Sequence, residues 1–129
     1  MRLLLLPGLL LLAGAFLSAC QVQPQDVPGT YVLDGTEHTR DTLRLLPSGQ
    51  YQRSIHAVGG RLLYSNRDEW KYAAGDVILQ EFLPEQDREH AAEEVLGLGA
   101  MVCFLPVRRG LSGIEIHYSA DGGESYSKQ

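Results

Sequence analysis

Histidine is the commonest metal ligand and general base in proteins, and this chain of 129 residues has four: His38, His56, His90 and His117. No two of them follow the His-x-His or His-x-x-x-His spacing that brings two imidazoles to one face of a strand or helix. A metal site would have to be assembled by the fold, and solvated histidines are the simpler expectation. The sequence predicts no metal site and no cofactor.

Motifs for nucleophilic and acid–base catalysis are also missing. No Gly-x-Ser-x-Gly element is present to hold a serine nucleophile at a strained turn. Gly97-Leu98-Gly99 leads into a β-like run instead of the helix that a phosphate-binding loop needs. The 16 acidic residues leave open a carboxylate pair assembled by the fold, although Asp68 and Glu69, as neighbours on one strand, should point to opposite faces. We predict no catalytic residue and do not expect an enzyme.

Aromatic residues are the remaining candidates for a binding site, because they recur about once per predicted strand: Tyr31, Tyr51, Tyr64, Trp70, Tyr72 and Tyr118. Inside a barrel they could line an apolar cavity for a small ligand. They could equally fill the core, since an eight-stranded barrel has little spare room, and filling is the commoner outcome. The two alternatives imply a ligand carrier in the first case and a partner bound on the outside in the second.

The N-terminus places Cys20 directly after an apolar run. Met1-Arg2 is a short positive start, residues 3–19 are rich in leucine, and small residues precede the cysteine in Leu17-Ser18-Ala19-Cys20. This ending resembles the lipobox of bacterial lipoproteins, in which the chain is cut before a cysteine that carries lipid. Plain secretion and an uncleaved anchor are the alternatives, although Pro7 and Gly14 weaken the run as a permanent membrane helix.

The resemblance implies a division into three parts: a cleaved signal peptide over residues 1–19, a lipidated Cys20 with a polar tether over residues 20–29, and one β-rich domain over residues 30–129. A diacylglyceryl group and an N-acyl chain on Cys20 would give stable membrane anchoring. An Asp after the cysteine tends to retain such proteins in the inner membrane, so Gln21 favours the outer membrane with the domain facing the periplasm. A Gram-positive host would instead place the domain on the outer face of its single membrane.

Composition limits the possible partners. Removing residues 1–19 takes away Arg2 and leaves 10 Lys and Arg against 16 Asp and Glu, a net charge of −6. That acidic balance argues against nucleic acid and against peripheral binding to anionic lipid by the domain as a whole. Lipidation of Cys20 would leave Cys103 without a partner in the chain, and its apolar surroundings predict a buried thiol on a strand.

Short β-runs separated by turn residues organise the mature chain. The turn signals include Pro47-Ser48-Gly49, Gly59-Gly60, Gly75-Asp76 and residues 120–123, and the segment Glu37 to Asp41 is too polar to be core. Residues 85–96 carry helix start and stop signals, so they form one short helix or a charged loop. Pro106 marks an edge or the end of a strand that begins at Met101.

Three stretches give this pattern a family likeness: Gly29-Thr30-Tyr31-Val32-Leu33, Leu45-Leu46-Pro47-Ser48-Gly49-Gln50-Tyr51 and Trp70-Lys71-Tyr72-Ala73-Ala74-Gly75-Asp76-Val77-Ile78-Leu79. They resemble the Gly-x-Tyr opening, the first hairpin and the Trp strand of small lipocalin-like lipoprotein domains. We therefore expect a mainly β fold, an antiparallel meander of seven or eight strands that closes into a small barrel or sandwich. The Cys-x-x-Cys of the copper-stress-sensing lipoproteins is missing, which argues against a copper or redox role.

The combined expectation is a membrane-anchored envelope lipoprotein that acts by binding. Its partner would be another envelope protein or a small apolar ligand held by the inward aromatics. The alternative is an inhibitor or immunity protein that blocks a periplasmic hydrolase, because an acidic surface suits a basic target. A roomy apolar cavity would favour the ligand carrier, whereas a filled core with a protruding loop near residues 84–97 would favour the inhibitor.

Overall fold

A computed structural model describes residues 21–33, 38–83, 101–118 and 124–129 of the chain. The described residues form eight strands: Gly29–Leu33 (β1), Thr39–Leu45 (β2), Gln50–Ala57 (β3), Leu62–Ala73 (β4), Asp76–Phe82 (β5), Met101–Gly110 (β6), Gly113–His117 (β7) and Ser125–Lys128 (β8). Each strand pairs antiparallel with the next, and β8 pairs with β1, so the meander closes into a barrel. The predicted fold class is confirmed. The helix or loop predicted over residues 85–96 lies outside the described residues.

Alternation along the strands decides what the barrel encloses. In β3 the side chains of Tyr51, Arg53 and Ile55 are buried while their neighbours are partly exposed. Cross-strand partners share a face, and the registers Tyr31↔Leu43 and Leu43↔Arg53 carry the same inner face from β1 through β3. An arginine therefore occupies a position that the period-2 pattern assigns to the core.

Two hairpin turns use the same geometry. In the β2–β3 turn the Leu46 amide donates to Gln50 O at 2.9 Å, and the Gly49 amide donates to Leu46 O at 3.1 Å. The β3–β4 turn repeats this with Ala57 and Arg61 at 2.8 Å. The glycine near the end of each turn, Gly49 or Gly60, has φ near +90°, which glycine adopts without steric cost. The predicted turns at both places are confirmed.

Two long strands change partner along their length. β4 pairs with β3 over residues 62–69 and with β5 over residues 70–73. β6 pairs with β5 up to Pro106 and with β7 from Val107 to Gly110. The strand therefore continues past Pro106 instead of ending there, and the proline occupies the point at which the partner changes. β4 and β6 therefore each join two strand pairs of the barrel.

One end of the barrel, here called the lower end, holds the start of β1 and the turns at 46–49, 74–75 and 111–112. The upper end holds the β3–β4 turn at 58–60. Residues 22–28, for which the sequence predicts part of a tether, fold back over the lower end with a 3₁₀ turn at Pro24–Asp26. Val22 and Val27 are buried and belong to the hydrophobic core. We call this segment the N-terminal plug; its two isolated valines form no period that a sequence pattern could reveal.

Hydrogen bonds from side chains of the barrel fasten the plug. The hydroxyls of Tyr31 and Tyr72 donate to the carbonyl oxygens of Val27 and Val22. Lys128 Nζ donates to the carbonyl of Asp26 at 2.6 Å, and its side chain passes so close to Gly29 that a Cβ there would lie 2.7 Å from Lys128 Cε. The described part of the predicted tether is thus packed as part of the barrel.

Candidate functional site

Asp41 on β2 and Arg53 on β3 form a buried ion pair in the upper half of the barrel. Their side chains are 0 % and 1 % exposed, respectively. Arg53 Nη2 donates to Asp41 Oδ2 at 2.8 Å, and Arg53 Nε donates to Asp41 Oδ1 at 3.2 Å. The two parallel bonds form the bidentate arrangement that a planar guanidinium and a carboxylate prefer. The pair is neutral as a unit, which is the condition for keeping two charges out of water.

Arg53 makes two further hydrogen bonds inside the barrel. Its Nη1 donates to the carbonyl of Leu83 at 2.8 Å, and its Nη2 also donates to the Tyr118 hydroxyl at 3.2 Å. The guanidinium carbon lies 4.1 Å from the centre of the Phe82 ring, a cation–π distance. Burial opposes the charge on Arg53, but Tyr126 and Asp41 beside it raise its pKa well above the usual value. The guanidinium therefore stays charged and is held by these hydrogen bonds and by the Phe82 ring.

A bulge in β5 brings Phe82 to this position. Glu81 has φ of 51°, a left-handed conformation that is rare for a residue with a side chain, and the register with β6 shifts there. The Tyr51 hydroxyl donates to the carbonyl of Gln80, and Asn66 Nδ2 donates to that of Glu81 at 2.7 Å. These two side chains stabilise the bulge, which turns the Phe82 ring onto Arg53.

The prediction that Glu37 to Asp41 is too polar to be core is wrong for Asp41. Strand β2 begins at Thr39, and its alternation places Asp41 on the same face as the buried Leu43. The charge is accepted there because Arg53, on the neighbouring strand, neutralises it. Part of the signal was present in the sequence, since a period-2 pattern through Tyr51 and Ile55 puts Arg53 on the inner face, where a guanidinium needs an acid nearby.

Two other groups with potential chemistry lie in the upper interior. Tyr126 is fully buried, its hydroxyl makes no hydrogen bond within the described part of the chain, and burial raises its pKa well above the usual value. The nearby Asp41 carboxylate also raises the pKa of Tyr126, although it accepts no hydrogen bond from the hydroxyl. Cys103, a free thiol, is half-buried, and burial also raises its pKa. Both groups are held in the protonated form at neutral pH, so neither is an activated nucleophile.

The six aromatic residues predicted as candidates all lie on the inner face, but they form two sets. Tyr31, Trp70 and Tyr72 belong to the lower half, where the Trp70 indole donates to the carbonyl of Leu46 at 2.8 Å. Tyr51, Tyr64 and Tyr118 belong to the upper half around Arg53. Five of the six residues therefore hydrogen-bond through their polar atoms to other groups of the chain. Their rings pack inside the barrel.

The histidines stay apart in the part of the chain that the structure describes. His38 is exposed, and His56 lies on the outer face of β3. His117 Nε2 lies 3.7 Å from Glu115 Oε2. The fourth, His90, lies outside the described residues. Within those residues, no three His, Cys, Asp or Glu side chains come together as a metal site would require.

Two surface features lie outside the core. An open cavity of about 690 Å³ at the lower end is lined by residues 21–24, by the β4–β5 turn and by Val107, Arg108 and Arg109. In the upper half, exposed apolar side chains lie on β6, with Val102 46 % and Phe104 62 % exposed. Alternation puts these two on the outer face of the barrel.

Comparison of this chain with protein-family models, with curated proteins and with solved structures finds no match. Among the described residues, no helix is both long enough and apolar enough to cross a lipid bilayer.

Proposed function

We propose that this chain is an envelope lipoprotein, anchored through lipid on Cys20, that acts by binding a protein partner on the outside of its barrel. The observation that carries the proposal is the filled upper interior, where Arg53 is bound by Asp41, Leu83 and Tyr118 and covered by Phe82. A small apolar ligand entering from above would have to displace this network. Removing one partner of a buried ion pair leaves an uncompensated charge, so a ligand carrier is disfavoured.

The exposed apolar side chains of the upper half provide the binding surface in this proposal. Phe104 and Val102 share the outer face of β6, and Met101, Leu62 and Val58 are exposed in the same half. Aromatic residues and methionine are enriched at the centres of protein interfaces, whereas charged residues are depleted there. A lipid on Cys20 would be attached at the lower end, so the upper half would face other envelope proteins.

The inhibitor of a periplasmic hydrolase remains the second candidate, and the acidic charge of the mature chain is the observation in its favour. A net charge of −6 would speed association with a basic enzyme and make the rate fall with ionic strength. The loop considered for this role, near residues 84–97, lies outside the described residues. Gln21 after the lipidated cysteine supports an outer-membrane location with the barrel facing the periplasm.

The anchor is tested by replacing Cys20. The unchanged protein should be recovered with the membrane and should carry the added mass of a diacylglyceryl group. Cys20→Ser cannot accept that group and also loses the cleavage before the cysteine, so it should keep residues 1–19 and show no added lipid mass. An unchanged protein without added lipid mass would show that the lipoprotein assignment is wrong.

The partner surface is tested by affinity purification from envelopes with three forms of the anchored protein. Phe104→Glu places a charge in the proposed interface and should reduce recovery of the partner at least about tenfold, the effect of losing one central aromatic contact. Thr42→Glu adds the same charge on the partly exposed outer face of β2, four strands from β6 around the barrel, and serves as the matched control, with recovery expected to equal that of the unchanged protein. Equal recovery with Phe104→Glu, or the same loss with both variants, would contradict this surface.

A further inference from the structure

The position of the plug limits how far the barrel can stand from a lipid on Cys20. The Val22 carbonyl accepts a hydrogen bond from the Tyr72 hydroxyl at 2.9 Å, and the Val22 side chain is buried. Cys20 precedes Val22 by two residues, and consecutive Cα atoms are 3.8 Å apart, so their Cα atoms lie within about 8 Å of each other. A lipid on Cys20 would therefore start beside the barrel itself, with no spacer of the described chain between them.

The groups nearest to that point all belong to the lower end. Gln21 and Val22 line the same open cavity as Ala74 and Gly75 of the β4–β5 turn and as Arg108 and Arg109 of β6. Both arginines are exposed, and Arg109 Nη2 also contacts Asp26 Oδ2 at 3.3 Å. Asp26 is one acid of this end, and Glu115, the cross-strand partner of Arg108, is another.

An apolar side chain projects from the same end. Leu111, at the tip of the β6–β7 turn and two residues after Arg109, is fully exposed, at 111 % of its reference area. Transfer of an exposed leucine side chain out of water is favourable, and basic residues are attracted to an anionic membrane surface. An apolar tip flanked by arginines is the combination that suits a bilayer interface, where the arginines reach the phosphates and the leucine reaches the acyl chains.

We infer that the lower end of the barrel docks on the bilayer that holds the Cys20 lipid, with Leu111 inserted at the interface and Arg108 and Arg109 against anionic phospholipid headgroups. This inference rests on the proposed lipid at Cys20 and deepens it, because it assigns an orientation to the anchored domain. The partner is a phospholipid surface. Salt largely screens charges that are more than about 10 Å away, so the acidic charge of the rest of the domain has little effect on this contact.

Tryptophan fluorescence in vesicles tests the orientation. The purified lipidated protein is reconstituted in vesicles of phosphatidylcholine and phosphatidylglycerol, with and without brominated acyl chains that quench tryptophan on contact. Leu111→Trp places the probe at the lower tip. Val58→Trp is the matched control, because Val58 is 77 % exposed on the turn at the opposite end. Trp70 is common to both variants and is subtracted with the unchanged protein. Brominated lipid should quench the Leu111→Trp signal at least about twofold and leave the Val58→Trp signal unchanged.

The outcomes separate the inference from the anchor beneath it. Equal quenching of the two probes, or none for either, in protein that co-floats with the vesicles would overturn the docked orientation and leave the anchor intact. Protein that fails to float with the vesicles and lacks lipid by mass would overturn both. Arg108→Gln gives an independent measurement: it should reduce the gain in Leu111→Trp quenching that phosphatidylglycerol adds over phosphatidylcholine alone, and an unchanged gain would contradict the headgroup contact.

Discussion

The lower and upper halves of the barrel interior are closed by different chemistry. In the lower half, apolar side chains pack around Val27 of the plug, and tyrosine hydroxyls bond to plug carbonyls. In the upper half, a neutral ion pair lies among aromatic rings, with the Tyr118 and Tyr126 rings edge to face at 5.5 Å. Burial of apolar area stabilises the first directly, whereas the second has to recover the free energy of desolvating two charges. The upper half is therefore the more sensitive to losing a single group.

The largest effect should follow from breaking the ion pair. Asp41→Ala leaves the Arg53 guanidinium buried without its counter-charge and should lower the free energy of unfolding by about 3–5 kcal/mol, measured by urea denaturation. Asp41→Leu combined with Arg53→Met removes both charges and is the matched control, with most of that loss recovered. Equal losses in the single and double variants would mean that packing, and not charge, holds this region.

A smaller effect is expected in the lower half. Val27→Ala deletes two buried methyl groups and should lower the free energy of unfolding by about 2 kcal/mol. Gln25→Ala, at an exposed position of the same plug, should change it by less than about 0.5 kcal/mol. A Val27→Ala protein as stable as the unchanged one would show that the plug is not docked in solution.

Alkaline pH should reveal the buried phenols of both halves. Burial raises the pKa of Tyr31, Tyr51 and Tyr126 above the ordinary 10, so above pH 10 the unfolded chain releases protons that the folded chain retains. The contribution of each such tyrosine to the free energy of unfolding is thus complete below pH 10 and falls above it by about 1.4 kcal/mol per pH unit. Urea titrations between pH 9 and 11 measure the slope, which should be shallower in Tyr126→Phe. A slope that does not change in this variant would contradict the burial of Tyr126.

The smallest effect distinguishes two hydroxyls. Tyr31→Phe removes the bond to the plug and should lower the free energy of unfolding by about 1 kcal/mol at neutral pH. Tyr126→Phe removes a buried hydroxyl without a hydrogen bond in the described residues and should leave stability unchanged or raise it by up to about 1 kcal/mol. Thermal unfolding of the two variants side by side measures the difference, and a larger loss for Tyr126→Phe would contradict the assignment.

Local signals were enough to predict most of the fold. Period-2 alternation identifies the inner face of β7 through Ile114 and Ile116, and glycine at the turns identifies the hairpins because few other residues adopt a positive φ. Five of the six aromatics were assigned correctly to strands, whereas Tyr118 lies directly after β7, and the division into two sets depends on the registers.

The candidate site was missed where its signal is non-local. Asp41 looks like a surface residue until it is placed beside Arg53. The register sets Leu43 opposite Arg53 and leaves Asp41 one diagonal step away, so neither strand alone shows that pairing. The plug was missed because Val22 and Val27 are buried by contacts with distant strands, not by any regular spacing of their own. In both cases burial depends on residues of other strands.

Closure of the barrel by β8 sets an order on folding. β1, near the N-terminus, finds its second neighbour only in residues 125–128, through partners such as Tyr31↔Lys128, and the Gln129 amide then donates to Thr30 O at 2.9 Å. Until that pairing forms, β1 and β8 each present an open edge, and open edges invite pairing with other chains. Contacts of such long sequence separation form slowly. The edge of β1 therefore stays open until residues 125–128 have paired with it.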